Sequence, residues 1–371
     1  MPQGLKTCHF MVPFGRNKGF VGRESILDEL LKKVPPVVDE DDCQRTAIKG
    51  LGGVEKTQIA LEAAHRVDDT HSDCSVFWVP AIDAASFENA YREIRQRLEI
   101  SGIDDEKADI KTLVKVALSQ ENAGTWPLII DNADDVQLLF SNPALCDHLP
   151  FGRNRSILFT TRNHDVTGRL DIRRRDVITV PEMDRVESIA LLQQDLKESQ
   201  TCDNESMTTL LDFLADLPLT FRQASSFMAK TGITTTAYLN HCQASDKTLI
   251  KLLSRNFEDR NRYKASDNLV AATWLISFEH ISRDMPLAVH YLKFMCFLAE
   301  KDIPVLLLPP ADDEIDADEA IGTLKAYAFI SQRDGSSSFD IHRLVQLAVP
   351  ELVGGEGRAW CIYQNRDPAA S

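Results

Sequence analysis

The chain has 371 residues, 43% of them hydrophobic and 26% charged, a globular composition long enough for two or three domains. Forty-one Lys and Arg against 56 Asp and Glu leave a net charge of −15, which argues against a nucleic-acid scaffold, since a phosphate backbone is held by clustered cations. One phosphorylated ligand gripped by local amides stays compatible with that charge. The eight cysteines form no CxxC pair, so a zinc ribbon or redox dithiol has no support, and reduced thiols in a cytoplasmic setting are expected. The amino-terminal residues lack the apolar core of a signal peptide. No run approaches the roughly 18 apolar residues of a spanning helix, so no membrane partner is expected.

From Arg45 to Asp176, short apolar runs alternate with amphipathic segments. RTAIKG, SVFWVPA, PLIID, SILFTT and DVITV read as buried strands. Their unbroken apolar character is what a parallel sheet covered on both faces requires. Helical spacing falls between them, over Thr57–Val67, Ala85–Leu98, Asp109–Ser119 and Asp135–Phe140. The alternation predicts an α/β, doubly wound domain with ligands at the carboxyl ends of its strands. After Val180 the texture becomes helical, through VESIALLQQDL, MTTLLDFLADL and LTFRQASSFMAK, in a small domain ending near Leu253. A polar stretch, SRNFEDRNRYKASDN, links it to three further helices. SQRDGSSSFDIHRL then reads as a β-hairpin before a final helix, a winged-helix pattern. The expected organisation is an N-terminal segment (1–19), an α/β domain (20–180), a helical domain (181–262), a winged-helix domain (263–352) and an irregular tail (353–371).

The most informative stretch is Arg45-Thr-Ala-Ile-Lys-Gly-Leu-Gly-Gly-Val-Glu-Lys-Thr57. A strand runs into a glycine-rich turn, and Lys56 and Thr57 open a helix. Backbone amides of such a turn, here Gly50, Gly52, Gly53, Val54 and Glu55 with Gln58 just beyond, can wrap a phosphate. Lys56 can bridge β- and γ-phosphates and the Thr57 hydroxyl can ligate Mg²⁺. The pattern GxxxxGK[ST] is broken once, because Glu55 replaces the second glycine, where only glycine adopts the required backbone angle cheaply. A carboxylate about 5 Å from phosphate charge would oppose binding by roughly 3 kcal/mol, about a hundredfold, if nothing compensated; a side chain swung to solvent would soften this. The bland alternative is a strand–helix turn without ligand.

Asp131 ends the apolar run PLIID, where a phosphate-loop fold needs a carboxylate for the Mg²⁺ shell. Asn132 follows, and an amide can orient water but cannot take its proton. Asp134 and Asp135 read as caps of the next helix. Arg162, at the end of SILFTTRN, can report a terminal phosphate or pair with an aspartate at the surface.

In this order the motifs resemble the NB-ARC module of STAND-type nucleotide switches, found in NOD-like immune receptors and their fungal counterparts. The resemblance covers roughly Phe20 to Val349. FVGRE is similar to the family's leading segment, which implies that Val21 and Arg23 lie near adenine and ribose. IKGLGGVEKTQIALE resembles Walker A apart from Glu55, LIIDNADD Walker B, and LFTTRN the sensor-1 motif. DLPL resembles the family's GLPL, with Pro218 against adenine and Asp216 in the glycine's place; alone, Pro218 reads as a helix-start proline. FDIHRLVQLA resembles the MHD motif, which implies that His342 contacts the ADP β-phosphate, with Arg343 replacing the supporting acid.

The resemblance implies an ADP/ATP- and Mg²⁺-binding switch, closed on ADP and opened by ATP, exposing a surface for self-association or a signalling partner. Any catalysis through Asp131 would be a slow ATPase. A degenerate scaffold that binds no nucleotide is the alternative. Family members continue into a repeat array, and this sequence is expected to keep the switch without that sensor.

Overall fold

A computed structural model describes residues 8–35, 43–100, 109–244, 270–333, 336–342, 344–346 and 349. Two compact units divide the chain, one from Val54–Pro181 together with the residues up to Gly50, the other from Leu51–Gly53 together with most of the chain from Glu182 onward.

The first unit is built on β1 (Phe10–Met11), β2 (Gln44–Lys49), β3 (Val76–Pro80), β4 (Trp126–Asp131), β5 (Arg155–Thr161) and β6 (Val177–Thr179). They form one sheet in the order β1-β3-β4-β5-β2-β6, parallel at every pairing. Helices α1 (Glu24–Leu31), α2 (Lys56–Thr70), α3 (Ala84–Arg97), α4 (Ile110–Ser119), α5 (Val136–Phe140) and α6 (His164–Arg169) complete it. All residues of β4 and β5 are buried, which is why these segments carry apolar runs without in/out alternation. Ile129 pairs with Leu158, and Ile48 with Thr160 and Ile178, so the carboxyl ends of the central strands line up where Asp131, Thr161 and Lys49 emerge.

The core on one face of this sheet joins Phe77, Trp126, Leu128 and Phe159 to Phe87 and Tyr91 of α3. The rings of Phe87 and Tyr91 stack at 4.6 Å, and the Tyr91 hydroxyl donates to His148 O at 2.9 Å. Each such buried side chain contributes about 1.5–3 kcal/mol of hydrophobic stabilisation. Asp109 and Asp135 cap α4 and α5 through their carboxylates, accepting from Lys111 N and from Gln137 N and Leu138 N.

Three features differ from the sequence expectation. Within the segment set apart as 1–19, Phe10 and Met11 form β1, a sixth strand of this sheet, and Val76 N donates to His9 O at 2.7 Å. Two residues carry no periodicity, so the strand had no signal. Asn163 caps α6, a helix too short to register, accepting from Asp165 N at 3.0 Å. Asp134 does not cap α5; Asp135 does so alone.

The second unit holds α7 (Arg185–Gln193), α8 (Asn204–Phe213), α9 (Pro218–Thr231), α10 (Thr235–Ala244), α11 (Val270–Asp284), α12 (Pro286–Met295) and α13 (Glu314–Ala326). Its strands β7 (Ile303–Pro304), β8 (Ile330–Gln332) and β9 (Ser338–Ile341) form an antiparallel sheet in the order β7-β9-β8. β8 and β9 correspond to the expected hairpin; β7 is an additional edge strand from the apolar stretch between prolines. Residues 344–346 are helical. The linker from Ser254 to Asn268, the helical-domain limit near Leu253, the Gly335 turn and the tail 353–371 lie outside the described residues.

Candidate functional site

The loop from Gly50 to Glu55 joins β2 to α2, and two of its positions constrain the residue type. A Cβ on Gly50 would meet Val180 O at 2.8 Å and Val54 Cγ2 at 3.0 Å, so the strand-end backbone leaves no room for a side chain. Gly53 has φ 98, in the region that favours glycine. Glu55 also sits there, at φ 67 and ψ 36, as the residue before α2. The acid therefore adopts the left-handed conformation of the glycine it replaces, at a cost of about 1–2 kcal/mol for a residue with a Cβ. It does not swing to solvent, being only 8% exposed, and this corrects the softer expectation.

Lys56 begins α2 and folds back, its Nζ donating to Gly50 O at 2.8 Å. Burial, then the charge of Arg162, pushes its ammonium down to about 7, against the opposing pull of Asp134 and Asp131. The Thr57 hydroxyl donates to Asp131 Oδ1 at 2.9 Å. Asp131 is fully buried and also accepts from Thr160 Oγ1 at 2.5 Å and from Asn132 Nδ2 at 3.3 Å. Asn132 takes φ 60 and donates its backbone N–H to Thr160 Oγ1 at 3.0 Å. The start of α2 and the ends of β4 and β5 are thereby joined through one carboxylate, with Thr57, Asp131 and Thr160 contributing an oxygen each.

Asp134 has a role the sequence did not reveal. Its Oδ1 accepts from Arg162 N at 2.5 Å and from Thr161 Oγ1 at 3.2 Å, and its Oδ2 lies 3.2 Å from Arg162 Nε. Arg162 is thus an arginine paired with an aspartate, but both side chains are largely enclosed, at 12% and 7% exposure, instead of lying at the surface. Nothing in the spacing of NADD distinguishes Asp134 from Asp135.

Other expected residues fall elsewhere. Arg23 opens α1 at φ 63 and is buried, with Val21 half-buried before it. Gln58 is buried in α2 and accepts from Asn17 Nδ2 at 2.8 Å, a tie to the amino-terminal segment. In the second unit, Leu219 N donates to Gly53 O at 3.2 Å, and Pro218 is the buried first residue of α9. Asp216 stands at φ 49, so it too occupies a backbone state suited to glycine. His342 Nδ1 accepts from Leu344 N at 3.2 Å, which leaves the proton of the neutral ring on Nε2. Burial pushes its pKa down to about 4, with Glu182 opposing. Arg343 lies outside the described residues.

The arrangement offers hard oxygen donors (Thr57, Asp131) and a buried lysine at a helix start, chemistry suited to a phosphate with a divalent cation. The NB-ARC domain family matches residues 23–202. Residues 23–202 form an NB-ARC domain. The chain is 46% identical over 373 aligned residues to a nucleotide-binding leucine-rich repeat (NLR)-like protein of Hyaloscypha variabilis, covering 96% of this chain and 37% of that relative. The chain therefore spans little more than a third of the relative's length. Among solved structures, the ORC2 protein of Aeropyrum pernix aligns over 95% of this chain and 97% of its own at 11% identity, TM-score 0.49. Cdc6p of Pyrobaculum aerophilum aligns over 92% and 96% at 12% identity, TM-score 0.43. Likeness at that level says nothing of ligand or partner. No helix among the described residues is long and apolar enough to cross a membrane, and none of their His, Cys, Asp and Glu side chains cluster as a metal-ligand group of three or more.

Proposed function

We propose that the NB-ARC domain of this chain is the adenine-nucleotide switch of a STAND signalling protein, holding ADP when closed and opening on exchange for ATP. The observation that carries this reading is the hydrogen bond from Thr57 to Asp131 beside a buried Lys56. Thr57 and Asp131 would hold Mg²⁺, which supplies charge neutralisation at the phosphates. Lys56 and the loop amides would bind the diphosphate, and Arg162, held by Asp134, would read a third phosphate. Val21, Arg23 and Pro218 would hold the base and ribose, and neutral His342 would donate from Nε2 to the β-phosphate. A switch requires contacts that differ between its two nucleotide states, and Arg162 would supply them. Asn132 cannot act as a general base, so turnover is expected to be slow or absent.

Glu55 favours a second reading, a scaffold that keeps the fold and binds no nucleotide, because its carboxylate is enclosed at the loop. Denaturing the purified protein and quantifying released nucleotide separates the two. About one equivalent of ADP supports the switch; an empty protein with no calorimetric ADP or ATP uptake at millimolar ligand and magnesium supports the scaffold.

A further inference from the structure

On the α6 face of the sheet lies a cavity of about 730 Å³ that the nucleotide reading does not use. Ala47 packs in the core cluster with Val166 of α6, while no residue of α2 belongs to that cluster. Strand alternation puts Lys49, two residues after Ala47, on that same face. Lys49, His164, Arg169 and Arg174 line the cavity, with Asp165 the single acid. In a chain of net charge −15 this is a local reversal of sign.

The bases are held by neighbours that do not neutralise them. Lys49 Nζ lies 3.4 Å from His164 Nδ1, and Thr167 Oγ1 lies 3.1 Å from that same nitrogen. Burial holds the Lys49 ammonium below its ordinary range, and burial followed by the Lys49 charge does the same to the His164 imidazolium. Arg169 sits 5.7 Å over the Phe140 ring. Arg174 projects from a turn pinned by Lys33, whose ammonium donates to Arg175 O and Asp176 Oδ1 at 2.8 Å each. Basic groups converging on one concavity at this spacing repel one another, and an oxyanion between them removes the repulsion.

We infer that this cavity is an anion site separate from the phosphate loop, which takes a small molecule carrying several phosphomonoester groups. Its size falls in the range of small-molecule sites, about 300–1,000 Å³. Three cations, Lys49, Arg169 and Arg174, against one carboxylate match a ligand with at least two negative charges. That chemistry belongs equally to a soluble polyphosphorylated compound and to a phosphorylated lipid headgroup.

Calorimetric titration of inositol hexakisphosphate into the full chain tests the inference. With saturating Mg–ADP present, and in the Lys56→Ala variant, one binding event of the same strength is expected. Arg174→Glu, at an exposed position, is expected to weaken it by about tenfold while leaving the thermal midpoint unchanged, and Lys49→Met should act in the same direction. Absence of heat at millimolar probe, binding indifferent to Arg174→Glu, or binding lost in Lys56→Ala would overturn it. Sedimentation with vesicles containing phosphatidylinositol bisphosphate distinguishes the sources. Arg174-dependent co-sedimentation assigns the site to a headgroup, and titratable binding without co-sedimentation assigns it to a soluble ligand.

Discussion

Helix α2 carries two charge clusters, each centred on a buried side chain, and they behave oppositely. In its middle, Glu62 accepts from Arg16 at 2.7 and 3.1 Å and from Arg66 at 2.9 Å, and Arg66 donates twice to Glu24 at 2.8 Å. Burial alone would raise the Glu62 carboxyl, yet the two guanidiniums hold it below its usual range. The hydrogen bond to Glu24 lifts Arg66 above its own ordinary value. At the helix start the reverse holds: Lys56 donates to a backbone carbonyl, and burial with Arg162 depresses its ammonium. A saturated network fixes a fold; a cation held below its ordinary pKa marks a place where an anion would be welcome.

That contrast can be broken in graded steps. Lys56→Ala should remove nucleotide altogether, an affinity loss of about a hundredfold or more, read as nucleotide released on denaturation, with the circular dichroism spectrum unchanged. Glu55→Gly should raise ADP affinity, by up to about a hundredfold if the carboxylate is the obstacle. An unchanged dissociation constant would clear Glu55 of blame. Glu62→Ala should instead cost only about 1 kcal/mol of stability, since Arg66 keeps Glu24 and Arg16 keeps Asp69, seen as a slightly lower thermal midpoint without loss of ADP affinity in the folded protein.

Asp134→Asn should loosen Arg162 and narrow the ATP-over-ADP discrimination by about tenfold, measured by competition titration. The smallest effect is a protonic one. Bound phosphate favours the ammonium of Lys56, so ADP binding near neutral pH should draw in a proton, detectable as a buffer-dependent calorimetric enthalpy, and affinity should fall as pH rises above about 7. Without ligand the unfolded chain holds more protons than the folded one between about 7 and the ordinary lysine value near 10.4. The Lys56 contribution to stability therefore rises with pH across that window.

The central strands were legible because burial on both faces leaves an unbroken apolar run, as in SILFTT, whose seven-residue strand is wholly buried. Lys56, Thr57 and Asp131 were legible because their spacing is the chemistry. Asp134 was not: two adjacent acids read alike in sequence, and only the packing of β5 beside β4 gives one of them an arginine. Nor was β1, since two residues cannot show a period and its partner strand lies some 65 residues away. Glu55 was seen as a chemical departure, but its enclosure depends on backbone angles that composition does not encode.

The amino-terminal residues are fastened to α2 through Arg16 on Glu62 and Asp69 and through Asn17 on Gln58, and to the sheet edge through Phe10 and Met11. Gln58 lies one residue beyond Thr57 on the same rigid helix. The amino-terminal segment thus ties the edge strand of the sheet to the helix whose first turn carries Lys56 and Thr57.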